Sequence, residues 1–318
     1  METPAIDTKK YSLKKLPAGF CVAFSSDGTK LACSGTRIHV LNPITLKRVS
    51  VFKPFANISA IDFSPSGEKI VAKNTSGRIA IIDSNSGELV VSNSLNSTRE
   101  GCRPRFLFDG GQVVDGDWDG NLSILSTESF NCVRVYPYAH EMISEISLNK
   151  NRTTMLVEHQ PKAFGKKQIP DKSYVMIHQL PLDAVYGKRL DFKESISTSR
   201  ISNDGTKVAF VEEVIGEKSA ETFKLGGKLK IADIKTNAII SESNDVECYR
   251  SLEWSTDDKQ IFAATNDSFV LHESTSLLTL RRQPAEFPSS IAFHPNGDLV
   301  ALGTWRTTSI IQLSKFLS

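Results

Sequence analysis

Apolar and polar positions alternate with period two through many short stretches of this chain, and the stretches recur. Residues 22–33 and 60–71 repeat one phrase: an alternating apolar run, a turn of Ser, Pro, Asp and Gly, then a second apolar run. Each is followed by a small polar turn and a third run, at 37–41 and 78–82. Taking the last apolar residue before the first turn as an anchor gives Phe24, Phe63, Phe108, Leu148, Ile201, Trp254 and Phe293. These lie roughly 40 to 50 residues apart, the spacing of a repeat architecture. Two positions upstream stand Val22, Ile61, Phe106, Ile146, Ser199, Leu252 and Ile291, apolar everywhere except Ser199. That alternation is what a strand with one buried face requires.

The first turn carries glycine in five repeats, at Gly28, Gly67, Gly111, Gly205 and Gly297, where the backbone needs a positive φ. Repeats four and six place Arg152 and Asp258 there instead. Second strands are predicted at 31–34, 70–73, 112–116, 154–158, 208–212, 261–264 and 299–303. Third strands fall at 38–41, 79–83, 122–125, 174–179, 229–233, 269–273 and 309–313. A more polar fourth strand closes most units, as at 47–52, 89–93, 131–136 and 277–282. No stretch sustains a helical period.

Seven units of four strands predict an all-β fold, a seven-bladed β-propeller of antiparallel blades in one domain, 1–318. The blades span about 20–53, 59–93, 103–136, 144–191, 197–243, 249–283 and 289–318. From about Phe20 onward the chain resembles the WD40-type propellers, in degenerate form. The family's Trp-Asp pair survives only as Asp83 and Asp233, and its Trp position holds Ile82, Ala232, His178 and His272. Its Gly-His pair appears once, as Ala139 and His140. The resemblance implies ring closure by the N-terminal segment: residues 10–16 alternate like an outer strand, and the seventh unit ends after its third.

Composition narrows the chemistry. Charged residues make up 23% and the net charge is +2, which gives no bulk argument for nucleic acid, an acidic polymer or a membrane surface. There is no apolar leader and no run of membrane-spanning length, so a cytoplasmic protein is expected, or a nuclear one in a eukaryote. Five cysteines without a Cys-x-x-Cys pair point to a reducing compartment and away from structural zinc. Cys21 and Cys33 flank the first turn symmetrically, so they are expected opposite each other as two small buried thiols, with a redox pair as the alternative.

The six histidines show no metal-ligand spacing, and His39, His178 and His272 fall in third strands as packing residues. No nucleotide loop or nucleophile elbow appears, and no cofactor is expected. The run from Asp115 to Gly120 reads as a turn rather than a calcium loop. Asp62 and Glu145 lie near the axis, where propeller enzymes such as lactonases bind a metal. A channel-mouth enzyme or small-ligand binder is therefore the alternative reading, and a phosphate or nucleic-acid reader the second.

The leading expectation is a non-catalytic scaffold or adaptor binding another protein. Connections between second and third strands lie on the face that the WD40 resemblance designates the top, where that family recruits partners. Two oversized ones, 160–172 and 214–227, belong to blades four and five and carry Phe164 and Phe223 among Lys166, Lys167 and other polar residues. Long connections in a compact domain tend to be functional or disordered. Arg37, Arg103, Arg105, Arg250 and Arg306 are expected on the same face, with Trp118, Trp305 and His140 as contact residues. Arg200 and Glu253, each one residue before its anchor on adjacent blades, are expected to form a structural ion pair.

Overall fold

The structure, a computed structural model, describes residues 12–16, 18–93, 101–138, 141–161, 172–181, 187–214 and 226–317. Among them, seven four-stranded antiparallel sheets stand in a ring, and each innermost strand packs against those of both neighbours. Blade one is Cys21–Phe24, Leu31–Ser34, Ile38–Leu41 and Arg48–Phe52, counted from the axis outward. Blade two is Ile58–Phe63, Lys69–Asn74, Ile79–Asp83 and Leu89–Ser92; blade three is Arg105–Phe106, Gln112–Gly116, Asn121–Ser126 and Cys132–Pro137. Blade four comprises Glu141–Leu148, Thr154–Pro161, Tyr174–Gln179 and Lys188–Asp191. Blade five comprises Ile196–Ile201, Lys207–Glu213, Gly227–Asp233 and Ile239–Glu247. Tyr249–Trp254, Gln260–Thr265, Ser268–Glu273 and Thr279–Pro284 form blade six. Blade seven is Pro288–Phe293, Leu299–Thr304 and Thr308–Gln312, and its outer strand is the N-terminal Ser12–Leu16. Leu16 pairs with Thr308, so the two ends of the chain share one sheet and the ring is closed. A short helix, Leu313–Leu317, which the strand pattern does not foreshadow, then buries Phe316 against Phe262.

The core lies between blades. Alternate residues of the middle strands face opposite neighbours, which is why Ile70, Ala80 and Ile82 share one cluster with blade one while Val71, Ile79 and Ile81 share another with blade three. Each such aliphatic side chain contributes roughly 2 kcal/mol by burial. The surviving Asp83 and Asp233 do local work: each carboxylate accepts the amide three residues on, Ser86 at 2.8 Å and Thr236 at 2.8 Å, fixing the turn into the outer strand.

Two expectations are corrected. The anchor of blade three is Phe106, not Phe108: Phe106 pairs with Val113 and is fully buried, whereas Phe108 belongs to the turn and is 69% exposed. A shift of two residues keeps the alternation, so periodicity cannot distinguish them; packing against Val113 does. Cys21 and Cys33 are both buried thiols but do not face one another. Cys21 pairs with Ser34 and joins the cluster between blades one and two, while Cys33 pairs with Val22 and joins that between blades seven and one. A one-residue offset on neighbouring strands puts them on opposite faces of the sheet, and the redox alternative falls.

The turns between first and second strands, on the face called the bottom, interlock around the ring. Gly28 sits under the His294 ring with His294 Nε2 2.9 Å from the Gly28 carbonyl oxygen, and an added Cβ would meet that ring at 2.4 Å. Asn203 Nδ2 likewise donates to Ser255 O at 2.7 Å. Blade four departs from this pattern. Arg152 occupies the left-handed position with φ 54°, and beside it a groove of about 500 Å³ opens between blades three and four, lined by Leu107, Phe108, Ile124, Tyr136 and Leu180.

Candidate functional site

Two regions concentrate polar and aromatic side chains: the axis of the ring and the top face. At the axis, the residue before each anchor points into the channel. Asp62, Arg105, Arg200 and Glu253 hold this position in blades two, three, five and six. Glu145 joins them from higher on blade four, and Arg152 enters from the bottom turn. Arg200 is held between Glu145 and Glu253, each at 3.1 Å, as expected for the Arg200–Glu253 pair. Arg105 lies 3.5 Å from Asp62 and 3.6 Å from Glu145, so it lines the channel rather than the top connections. Arg105 Nε also donates to Ile146 O at 3.1 Å, and Arg200 Nε to Leu252 O at 3.0 Å.

The electrostatics follow from burial plus these partners. Burial is the largest influence on Arg105 and pulls its pKa down, but Asp62, Glu145 and Glu253 outweigh it and the net shift is upward. For Arg200 burial prevails and the shift is downward, with Arg105 and Arg103 adding to it against Glu253 and Glu145. Both remain cations at neutral pH, since arginine does not deprotonate in this range. Three arginines thus face three carboxylates, each engaged. Asp62 and Glu145, the carboxylates nearest the axis, are committed to arginine. Among the described residues no group of three or more His, Cys, Asp or Glu is placed to hold a metal ion.

On the top face, Trp305 stands in the turn between the second and third strands of blade seven. Thr304 shapes that turn: its amide donates to Thr307 O at 2.8 Å, and its hydroxyl oxygen accepts the Thr307 amide at 3.1 Å. The indole is 60% exposed. Phe287 lies beside it at 5.7 Å between ring centroids, tilted 31°, and is itself 48% exposed; Phe20 meets it edge-on at 6.3 Å. A groove of about 540 Å³ runs from Trp305 across Phe20 and Thr36 to Lys53, Asn57 and Thr75. A second, about 320 Å³, lies on its other side between Pro284, Glu286, Phe287, Arg306 and Lys15. Lys15, Lys53 and Arg306 are exposed there and form no ion pair among the described residues, Arg37 is exposed next to Thr36, and Glu286 is the one acidic residue lining either groove.

The remaining expected residues distribute as follows. Trp118 is 37% exposed in the matching turn of blade three, which Asp117 holds by accepting the amides of Asp119 and Asn121 at 2.8 Å each. Arg250 is exposed on blade six, its Nε donating to Asn266 Oδ1 at 2.9 Å. Arg103 is half-buried near the upper channel, close enough to act on Cys21 and Arg200. His140, Phe164, Lys166, Lys167 and Phe223 lie outside the described residues. The strands leading into both oversized connections, Thr154–Pro161 and Lys207–Glu213, run toward the same top face on neighbouring blades. The residues that sequence reasoning misses are Phe20 and Lys53, which come beside the Trp305 groove only when blade one meets blade seven, and Phe287, which the pairing of Pro288 with Thr304 brings to Trp305. Phe287 left one signal, a large residue between Glu286 and Pro288 in a polar connection.

No protein-family model matches the chain, and no curated protein sequence matches it. By structure it is similar to hydrazine synthase of Kuenenia stuttgartiensis, with a TM-score of 0.75 and 12% identity over 97% of this chain and 99% of that one. At that identity the likeness establishes the β-propeller architecture and nothing of the chemistry.

Proposed function

We propose that this propeller is a non-catalytic protein-binding platform of the WD40-like kind, docking a partner on its top face. The observation that carries the reading is Trp305, a large aromatic held outward by a tight turn, with Phe287 and Phe20 around it and unpaired cations at the rim. Exposed aromatic clusters rimmed by polar residues mark interaction surfaces, and Trp and Arg dominate binding energy at interfaces. The rigid ring presents these groups already ordered, so little conformational entropy is lost on docking. Trp118, Arg37, Arg103, Arg250, Arg306 and the connections of blades four and five belong to the same face in this reading.

Affinity capture from extract with intact protein, Trp305→Ala and Phe287→Ala, each checked for an unchanged melting temperature, tests the proposal. A partner retained by the intact chain and lost from both variants supports it. Stoichiometric metal in the purified protein, with turnover that Trp305→Ala leaves intact, would favour the channel-mouth enzyme instead.

A further inference from the structure

The two grooves beside Trp305 are lined by more basic than acidic side chains, and that imbalance specifies what fits them. Elsewhere some basic side chains are answered by carboxylates: Lys73 by Asp115 at 2.7 Å, Lys230 by Glu212 at 2.7 Å, Arg282 by Glu247. Around Trp305, Lys15, Lys53 and Arg306 have no such partner among the described residues, against the single acid Glu286. In a chain whose net charge is only +2, three cations without an ion pair among the described residues, set around an exposed Trp–Phe pair, form a local basic field on an apolar floor.

Resting on the top-face reading above, we infer that these grooves receive an acidic linear segment of a partner protein, its aromatic or large aliphatic residue seated against Trp305 and Phe287. The cations set register and on-rate, while the aromatic contact supplies most of the affinity. The ring arrangement argues against a nucleic acid. Phe287 leans over the indole at 31° and Phe20 meets it edge-on, so successive open ring faces, the platform on which bases stack, are not presented. A peptide needs only one such pocket between cationic rims.

A random-peptide display selection on the immobilised full chain tests this, followed by titration of fluorescein-labelled peptides made from the enriched pool. The expected pool is rich in Asp and Glu around an aromatic or large aliphatic residue. Affinity should fall at least about tenfold in Trp305→Ala and in the Lys53→Glu, Arg306→Glu double variant, and weaken with added salt, at unchanged melting temperature. A neutral or basic pool, or one indifferent to both variants, overturns the inference. So does displacement of the pool by oligouridylate RNA that itself depends on Trp305, or concentration-dependent self-association abolished by Trp305→Ala. A pool lost in Phe108→Asp instead would sink this inference while leaving the protein-binding reading standing. No enrichment at all would sink both.

Discussion

The guanidinium of Arg152 on blade four lies 3.2 Å from the carboxylate of Asp62 on blade two, two residues 90 positions apart in sequence. Arg152 also donates to Phe63 O at 3.2 Å and to Phe106 O, so one side chain ties the bottoms of blades two, three and four together. Its backbone is left-handed, φ 54°, at the position where blades one, two and five carry Gly28, Gly67 and Gly205. That conformation costs a non-glycine residue about 1 kcal/mol, which the bridging bonds offset. Arg152→Ala keeps the strain and loses the bonds, so urea denaturation should show a loss of about 2 kcal/mol. Arg152→Gly, relieved of the strain, should lose about half as much. Equal losses would mean that the backbone is not strained there.

Acid should unfold this ring through its two buried third-strand histidines. His178 and His272 are pushed by burial from 6.5 to about 4. A depressed folded-state pKa means that between those values the unfolded chain binds more protons. Stability is therefore complete above 6.5 and is lost as pH falls toward 4, by up to about 3 kcal/mol for each histidine. His178→Phe and His272→Phe should each flatten the urea midpoint between pH 7 and pH 4.5. A profile as steep as that of the parent would rule the histidines out as its source.

Glu158 should act in the opposite sense. It is buried between blades four and five, accepting from Ser199 Oγ at 2.6 Å, Ser144 Oγ at 2.7 Å and Gln160 Nε2 at 3.0 Å, and burial nonetheless raises its pKa. A raised folded-state value contributes stability below the unfolded carboxyl range that is lost as pH rises through the folded value. Glu158→Gln, which keeps partners for both serines, should therefore gain about 1 kcal/mol at pH 8 and change little at pH 4. A loss of stability at pH 8 would refute this account.

Closure predicts a fourth outcome. Deleting residues 1–16 strips the outer strand from blade seven and opens Thr308–Gln312, with Ile310 and Ile311, as an edge. Tm should fall by roughly 10 °C, and the truncated chain should associate at high concentration through the bared edge. Adding the missing segment as a peptide should reverse both. An unchanged Tm would show that the clasp contributes nothing.

How much of this was legible beforehand depends on the range over which each feature is decided. Third strands such as 174–179 follow from alternation and turn residues within a few positions of each other, whereas the pairing of residues 12–16 with blade seven was what the resemblance to closed propellers implied. The Arg200–Glu253 contact was also readable, because equivalent positions of adjacent repeats must meet at the axis. Phe106 and Phe108 were not separable, since both satisfy the same alternation. For Arg37, Trp118, Arg250, Trp305 and Arg306 exposure was readable from turn position, but mutual contact was not.

The sequence by itself determined seven repeating units and most of their strands, because the burial of alternate side chains and the turns between them are local and periodic. Only the tertiary structure decided that Cys21 and Cys33 face different neighbours, that Arg105 turns into the channel, and that Arg152 reaches back to Asp62. It alone joined Phe20 of blade one to Phe287 and Trp305 of blade seven. The Phe20–Trp305 contact exists only after the circle has closed, and the others only after strands or blades pack, when residues with no periodic relation become neighbours and compete for the same space and charge.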